Sequence, residues 1–227
     1  MKVILFGATG MVGQGVLREC LLDPDVESIL SVGRNSTGQH QAKLHEIVLK
    51  DIAAALPSIG PQLRGYDACF FCLGVSAVGM SERDYSLLTY DLTVSVATAL
   101  VKLNPTMTFV YVSGANTDGS GRSRMMWARV KGKTENAILD MPFKAAYMFR
   151  PGYIQPLHGI RTKTKLYGAL YAVMAPLYPL WKRLLPTKVT TTEALGRAMI
   201  RVAKQGYPTR VLETSDINAL AASPVAI

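Results

Sequence analysis

Three glycines near the start of the chain stand at G-x-x-G-x-x-G spacing in the run Gly7-Ala8-Thr9-Gly10-Met11-Val12-Gly13. They follow a short apolar run, Lys2–Phe6, and open a stretch that carries Val12, Val16 and Leu17 on one helical side. In a strand-to-helix turn of this kind the first glycine permits the tight bend. The second lets backbone approach a ligand, and the third lets helix and sheet pack closely. The free N–H groups and positive dipole end of the helix favour an anion, and a diphosphate suits that geometry. Gly7, Thr9, Gly10, Met11, Val12 and Gly13 are therefore the candidate phosphate-binding residues.

A dinucleotide bound as NAD normally meets an acid about 20 residues further on, where a carboxylate accepts hydrogen bonds from the adenosine ribose. Here the second expected strand ends Ser31-Val32-Gly33-Arg34-Asn35, with no acid. A planar, permanently charged guanidinium in that place suits a 2′-phosphate, so the expected cofactor is NADP(H), with Arg34 and Asn35 in its binding set. A solvated loop arginine is the alternative reading.

These residues need a scaffold, and the patterning of the chain supplies one. Short β-branched or apolar runs alternate with longer helical stretches, as in repeated strand-helix-strand units with a parallel sheet. Strands are expected near Lys2–Phe6, 28–32, 46–49, 68–72, Thr108–Val112, 145–149 and 209–212, and helices near Met11–Leu22, 82–102, 125–139 and 192–204. Ser81 with Asp84 three residues later reads as one helix start, and Thr191 or Thr192 as another. The expected fold class is α/β: a doubly wound Rossmann fold with a mostly parallel sheet of about seven strands flanked by helices. One domain spans residues 1–227, with residues 153–190 as a candidate substrate cap or interface segment.

With 227 residues, 49% of them hydrophobic and 18% charged, the chain can bury a sizeable core without a metal or disulfide. The net charge of +9 comes wholly from the second part: 8 basic and 10 acidic residues run to Gly114, and 17 and 6 follow it. Those cations are scattered, with no RNA-binding signature or zinc-finger spacing, so nucleic acid is not an expected partner. Residues 166–181 are almost wholly apolar but are broken by Pro176 and Pro179 and fall short of the ~20 residues of a bilayer-spanning helix. No transmembrane segment is expected there. Core packing is the first reading of that run; a substrate cap, a homodimer contact or a peripheral membrane contact are the alternatives. Cys69 and Cys72 have C-x-x-C spacing, yet a strand points residues three apart to opposite faces, which argues against redox chemistry. His40, His45 and His158 form no metal-ligand pattern with them. With no secretory pattern at the start and an odd set of three cysteines, the expectation is a cytoplasmic protein.

Taken with the glycine turn, the chain resembles the atypical and extended short-chain dehydrogenase/reductases, including epimerase-like and Tat-interacting-protein-like members, over nearly its whole length. That resemblance implies that Asp51, after the third strand, contacts the adenine and that Leu73-Gly74, after the fourth, lie beside the adenosine ribose. It places Ser113, in Tyr111-Val112-Ser113-Gly114, where such enzymes keep a hydroxyl that hydrogen-bonds the substrate carbonyl. The family's Tyr-x-x-x-Lys pair falls on Trp127-Ala128-Arg129-Val130-Lys131: the lysine is kept and the tyrosine is not. An indole N–H can donate a hydrogen bond but cannot serve as a general acid near neutral pH. Ser113 and Lys131 are thus the candidate catalytic residues, Lys131 also holding the cofactor. The resemblance places Pro151, in Arg150-Pro151-Gly152, in the loop beside the nicotinamide; any of Tyr153, Gln155 and His158 could supply the missing proton donor, the histidine being best matched by intrinsic pKa and a polar surface residue the alternative reading of it. The implied function is that of an NADP(H)-dependent oxidoreductase or epimerase-like enzyme acting on a small organic substrate. A non-catalytic NADP(H)-binding regulatory or sensor protein is the competing reading.

Overall fold

A computed structural model of the chain describes residues 1–160, Tyr178 and residues 183–223. Apart from Tyr178, the apolar run at 166–181 lies outside the described residues. The described elements are β1 (Lys2–Phe6), α1 (Met11–Leu22), β2 (Ser28–Gly33), β3 (Leu44–Val48), α2 (Ile52–Ile59), β4 (Ala68–Phe71), α3 (Glu82–Ser86), α4 (Leu92–Leu103), β5 (Thr108–Val112), α5 (Met126–Leu139), β6 (Ala145–Arg150), β7 (Tyr153–Gln155), β8 (Val189–Thr191), α6 (Thr192–Gln205), β9 (Val211–Glu213) and α7 (Thr214–Ala222). A π turn over Leu87–Asp91 joins α3 to α4.

Seven strands form one parallel sheet in the order β3-β2-β1-β4-β5-β6-β9. This is the doubly wound Rossmann architecture expected from the alternation of strand and helix runs. The strands carry apolar side chains on both faces because helices cover both. Val3, Leu5, Phe70, Val110, Tyr147 and Phe149 pack with α1, α6 and α7 on one side. Ile4, Phe6, Leu30, Val32, Phe71, Phe109 and Met148 pack with α2, α4 and α5 on the other. The third strand begins two residues earlier than expected, and the last is Val211–Glu213 rather than 209–212.

Two features were not expected. At the two ends of the 153–190 segment, β7 and β8 form a separate parallel pair that runs on to Thr191. On the first face α6 comes close to α1: a Cβ on Gly15 would lie 2.5 Å from Thr192, and one on Gly196 would lie 2.7 Å from Glu19. Glu19, buried in that contact, pairs with Arg18 and with Arg197 at 3.1 Å.

The stretch Glu82–Leu103 is long and apolar enough to cross a membrane by length and composition. Val96, Ala97 and Leu100 in it are wholly buried in the second core cluster, while Leu87 and Leu88 are exposed.

Candidate functional site

The strand order reverses beside β1: the chain runs outward to β2 and β3 and returns to β4 on the other side. Loops leaving the carboxyl ends of β1 and β4 therefore diverge, and ligands of open α/β sheets bind in the crevice between them. A cleft of about 400 Å³ opens there. It is lined by Gly7, Ala8, Thr9, Gly10 and Met11 after β1, Ser31, Gly33, Arg34 and Asn35 from β2 and its end, and Cys72 to Ser76 after β4.

The glycine turn has the geometry that its spacing requires. Gly7 has φ +85, and a Cβ there would stand 2.8 Å from the backbone of Cys72, so the turn needs glycine both for its conformation and for the close approach of β4. A Cβ on Gly13 would come within 2.0 Å of the Gly7 carbonyl oxygen. At Gly10 the nearest atom to an added Cβ is that same oxygen at 3.4 Å, so this face of the turn is open to the cleft.

Helix α1 begins at Gly10, whose carbonyl accepts the first helical bond from Gln14 N at 2.8 Å. Its first turn holds no acidic residue and no side chain caps it. Free amides and an uncompensated dipole end thus face an anion-sized space. Arg34 is exposed at the cleft and makes no ion pair among the described residues. Together they suit a molecule that carries a diphosphate and a further phosphate near the end of β2.

Not every expected residue reaches this cleft. Val12 and Gly13 sit in the first turn of α1, behind its lining. Asp51 is exposed and caps α2, accepting a hydrogen bond from Ala54 N at 3.0 Å, and it does not line the cleft. Leu73 and Gly74 do line it. Ser31, Cys72, Val75 and Ser76 also line it without being expected there; Ser31 and Cys72 are marked in sequence only by their nearness to strand ends. Desolvation raises the Cys72 thiol above its usual range, although the residue is only partly buried and lines the cleft. Cys20, Cys69 and Cys72 are all free thiols.

Beside the cleft, the register that pairs Phe71 with Tyr111 brings Leu73 and Ser113 to one level at the carboxyl edge. Here the expectation for Ser113 needs correction. Its hydroxyl is buried and donates to Glu135 Oε1 at 2.5 Å, with Phe149 O at 3.1 Å as a second acceptor, instead of facing the crevice. Glu135 is itself buried and accepts from Arg150 Nε at 3.0 Å and Nη2 at 2.5 Å; Arg150 also reaches Glu213 at 3.4 Å. A buried carboxylate demands such partners, and the serine hydroxyl is one of them.

Lys131 lies one turn before Glu135 on α5, and its Nζ donates to the Ser113 carbonyl oxygen. Desolvation lowers its pKa to about 8, against the opposing pull of the Glu135 charge. Trp127, one turn earlier, is half-buried, and among the described residues nothing accepts a hydrogen bond from its indole. Pro151 is buried and its carbonyl accepts from Ala115 N at 2.9 Å, tying the loop after β6 to the loop after β5.

His158 is drawn elsewhere: its Nε2 lies 2.7 Å from Glu193 Oε2, beside Gln14, Arg18 and Gln41. Tyr153 donates to Gln155 Oε1 at 3.0 Å. Among the described residues no group of three or more His, Cys, Asp or Glu side chains could hold a metal ion.

No family model matches the chain. Among curated proteins it is similar to the mitochondrial protein fmp52 of Emericella nidulans, 31% identical over 163 residues, which are 67% of this chain and 66% of that protein. It is 28% identical over 152 residues to the mitochondrial protein FMP52-2 of Scheffersomyces stipitis, covering 66% of this chain and 65% of that one. The matched segment thus spans just under two thirds of each relative's own length. Those relatives are named as mitochondrial proteins, which overturns the cytoplasmic expectation.

Among solved structures, the chain resembles WbmH of Bordetella bronchiseptica in complex with NAD+, with a TM-score of 0.63 and 16% identity over 90% of this chain and 72% of that one. It also resembles the Helicobacter pylori ADP-L-glycero-D-manno-heptose-6-epimerase, with a TM-score of 0.66 and 11% identity over 97% and 81% of the two chains. By fold, the chain has the Rossmann architecture of these solved structures, a parallel sheet of seven strands flanked by helices.

Proposed function

We propose that the chain binds NADP(H) and acts as an NADP(H)-dependent oxidoreductase or epimerase-like enzyme on a small organic substrate. The observation that carries this reading is a single cleft that joins an open glycine turn and the bare amino end of α1 to the exposed guanidinium of Arg34. The diphosphate would lie against the amides of the turn, with Thr9, Gly10 and Met11 around it and Val12 and Gly13 behind them in the first turn of α1. Arg34 and Asn35 take the 2′-phosphate, and Leu73 and Gly74 flank the adenosine ribose. Pro151 stands at the nicotinamide side, while Asp51, which caps α2, does not line the cleft and is given no contact with the adenine.

The bound nicotinamide supplies the hydride chemistry. Lys131 holds the nicotinamide ribose at the end of β5, and its ammonium keeps a positive charge there at neutral pH. Ser113 serves that position through its carbonyl, which seats Lys131, and through its bond to Glu135. The mitochondrial names of the curated relatives support a mitochondrial location.

Titration of the protein with NADPH and NADH tests the cofactor assignment. Arg34→Asp is expected to weaken NADPH on the order of tenfold to a hundredfold while changing NADH little, the loss of a charge-assisted contact. Equal effects on both nucleotides contradict the assignment of Arg34.

A second reading, a non-catalytic NADP(H)-binding regulatory protein, is favoured by two observations: the Ser113 hydroxyl is bonded to Glu135, and tryptophan stands where the family keeps its acid. Turnover of NADPH across a panel of carbonyl substrates separates the two. Tight binding without turnover selects the regulatory reading.

A further inference from the structure

The loop that leaves β2 carries Arg34 and Asn35 and is exposed through Ser36 and from Gly38 to Gln41. An exposed guanidinium on an exposed loop recognises a phosphate only if the loop holds its shape, because ordering a free loop and a long side chain on binding costs affinity. One side chain from the neighbouring strand supplies that order. Glu46, on β3, lies in register with Ser31, whose side of the sheet edge lines the cleft. Its carboxylate accepts from Ser36 Oγ at 2.7 Å and from Thr37 N at 2.8 Å. The fold continues inward from there: Gly38 N donates to Ser36 Oγ at 3.1 Å, and Leu49 N donates to Gly33 O at 2.9 Å. The two residues after Asn35 are thus pinned to β3, and the residue before Arg34 is pinned to the end of the same strand.

We propose that Glu46, by clamping Ser36 and Thr37, holds the β2–β3 loop in the shape that presents Arg34 to a 2′-phosphate, and so is a positioning residue that sets the preference for NADP(H) over NAD(H). This rests on the cofactor reading given above. Glu46 does not line the cleft; it acts through the backbone that carries Arg34. The carboxylate charge works against the phosphate if it acts directly, so the clamp and a direct charge effect predict opposite signs. Burial pushes the Glu46 carboxyl upward, but the bonds from Thr37 and Ser36 outweigh it and hold the group below its usual value, as a carboxylate engaged by two donors should be.

The test is a titration of the full chain with NADPH and with NADH, followed by the fluorescence of the reduced nicotinamide, on the wild type, Glu46→Ala, Glu46→Gln and Arg34→Asp. Glu46→Ala is expected to raise the Kd for NADPH on the order of tenfold and to leave that for NADH within about twofold. Glu46→Gln keeps an acceptor for the Thr37 amide and offers its own N–H to Ser36 Oγ, and is expected to restore the wild-type ratio. Melting curves of all variants establish that the fold is kept. Equal changes in both nucleotides with Glu46→Ala, or no change in either, overturn the clamp. So does tighter NADPH binding by Glu46→Gln, which would show a direct charge effect. If Arg34→Asp loses the preference while Glu46→Ala keeps it, the clamp falls and the cofactor reading stands; a wild type that binds neither nucleotide overturns both.

Discussion

The buried carboxylate of Glu135 accepts from Ser113 Oγ and from two nitrogens of Arg150, and its charge also acts on the ammonium of Lys131 one turn away. The four-residue spacing of Trp127, Lys131 and Glu135 puts all three on one side of α5. That spacing was the signal by which Glu135 could have been read from sequence. What no sequence pattern revealed is that Arg150, just before Pro151, would reach back to that carboxylate and that the Ser113 hydroxyl would be drawn in with it.

Lys131 gives a prediction at this scale. Desolvation lowers its pKa in the folded chain to about 8, below the ordinary lysine value of 10.5. Between those values the unfolded chain holds more protons than the folded one, so stability rises with pH across the window. Wild-type stability measured against Lys131→Met is therefore expected to increase from pH 8 to about pH 10.5, read by urea denaturation at several pH values. A difference that is flat or falls over that range contradicts the burial of the ammonium.

At the scale of elements, the turn between β1 and α1 makes two glycines do different things. An alanine at Gly13 would drive its Cβ into the Gly7 carbonyl, and backbone has to shift to relieve it. Gly13→Ala is expected to cost about 1–3 kcal/mol or more of stability, the range of an overpacked core. Gly10→Ala has room, with its nearest contact at 3.4 Å, but its methyl group would stand on the face of the turn proposed to meet the diphosphate. It is expected to melt within a few degrees of wild type and to lose most of its NADPH affinity. Denaturation and titration of the pair check this; loss of stability in Gly10→Ala with binding kept would contradict the assigned geometry.

The same turn shows why much of the fold was legible. The central strands are short apolar runs buried on both faces, and the glycine spacing has few other uses immediately after one of them. The rest depended on contacts between distant segments. Strands β7 and β8 have three residues each and are defined only by their pairing, while α2 carries Pro57 inside it and so lacks a clean helical pattern. The carboxylate of Asp51 reads as a polar strand end in sequence and proves to be the cap of that helix. Its candidacy at the adenine came from family resemblance, and local geometry gives it a second, structural task.

For the whole molecule, the doubly wound order makes one crevice beside β1, and the glycine turn, the end of β2 and the loop after β4 all open onto it. The fold accounts for the shape of the cleft, while Arg34 and the open face at Gly10 are the groups proposed to set what it selects. A structure of the protein crystallised with NADP+ tests this most directly. The diphosphate should lie against the backbone amides at the start of α1, with the 2′-phosphate within hydrogen-bond distance of the Arg34 guanidinium. A crystal grown in millimolar NADP+ that shows the nucleotide elsewhere, or the crevice closed by its own side chains, would contradict the account.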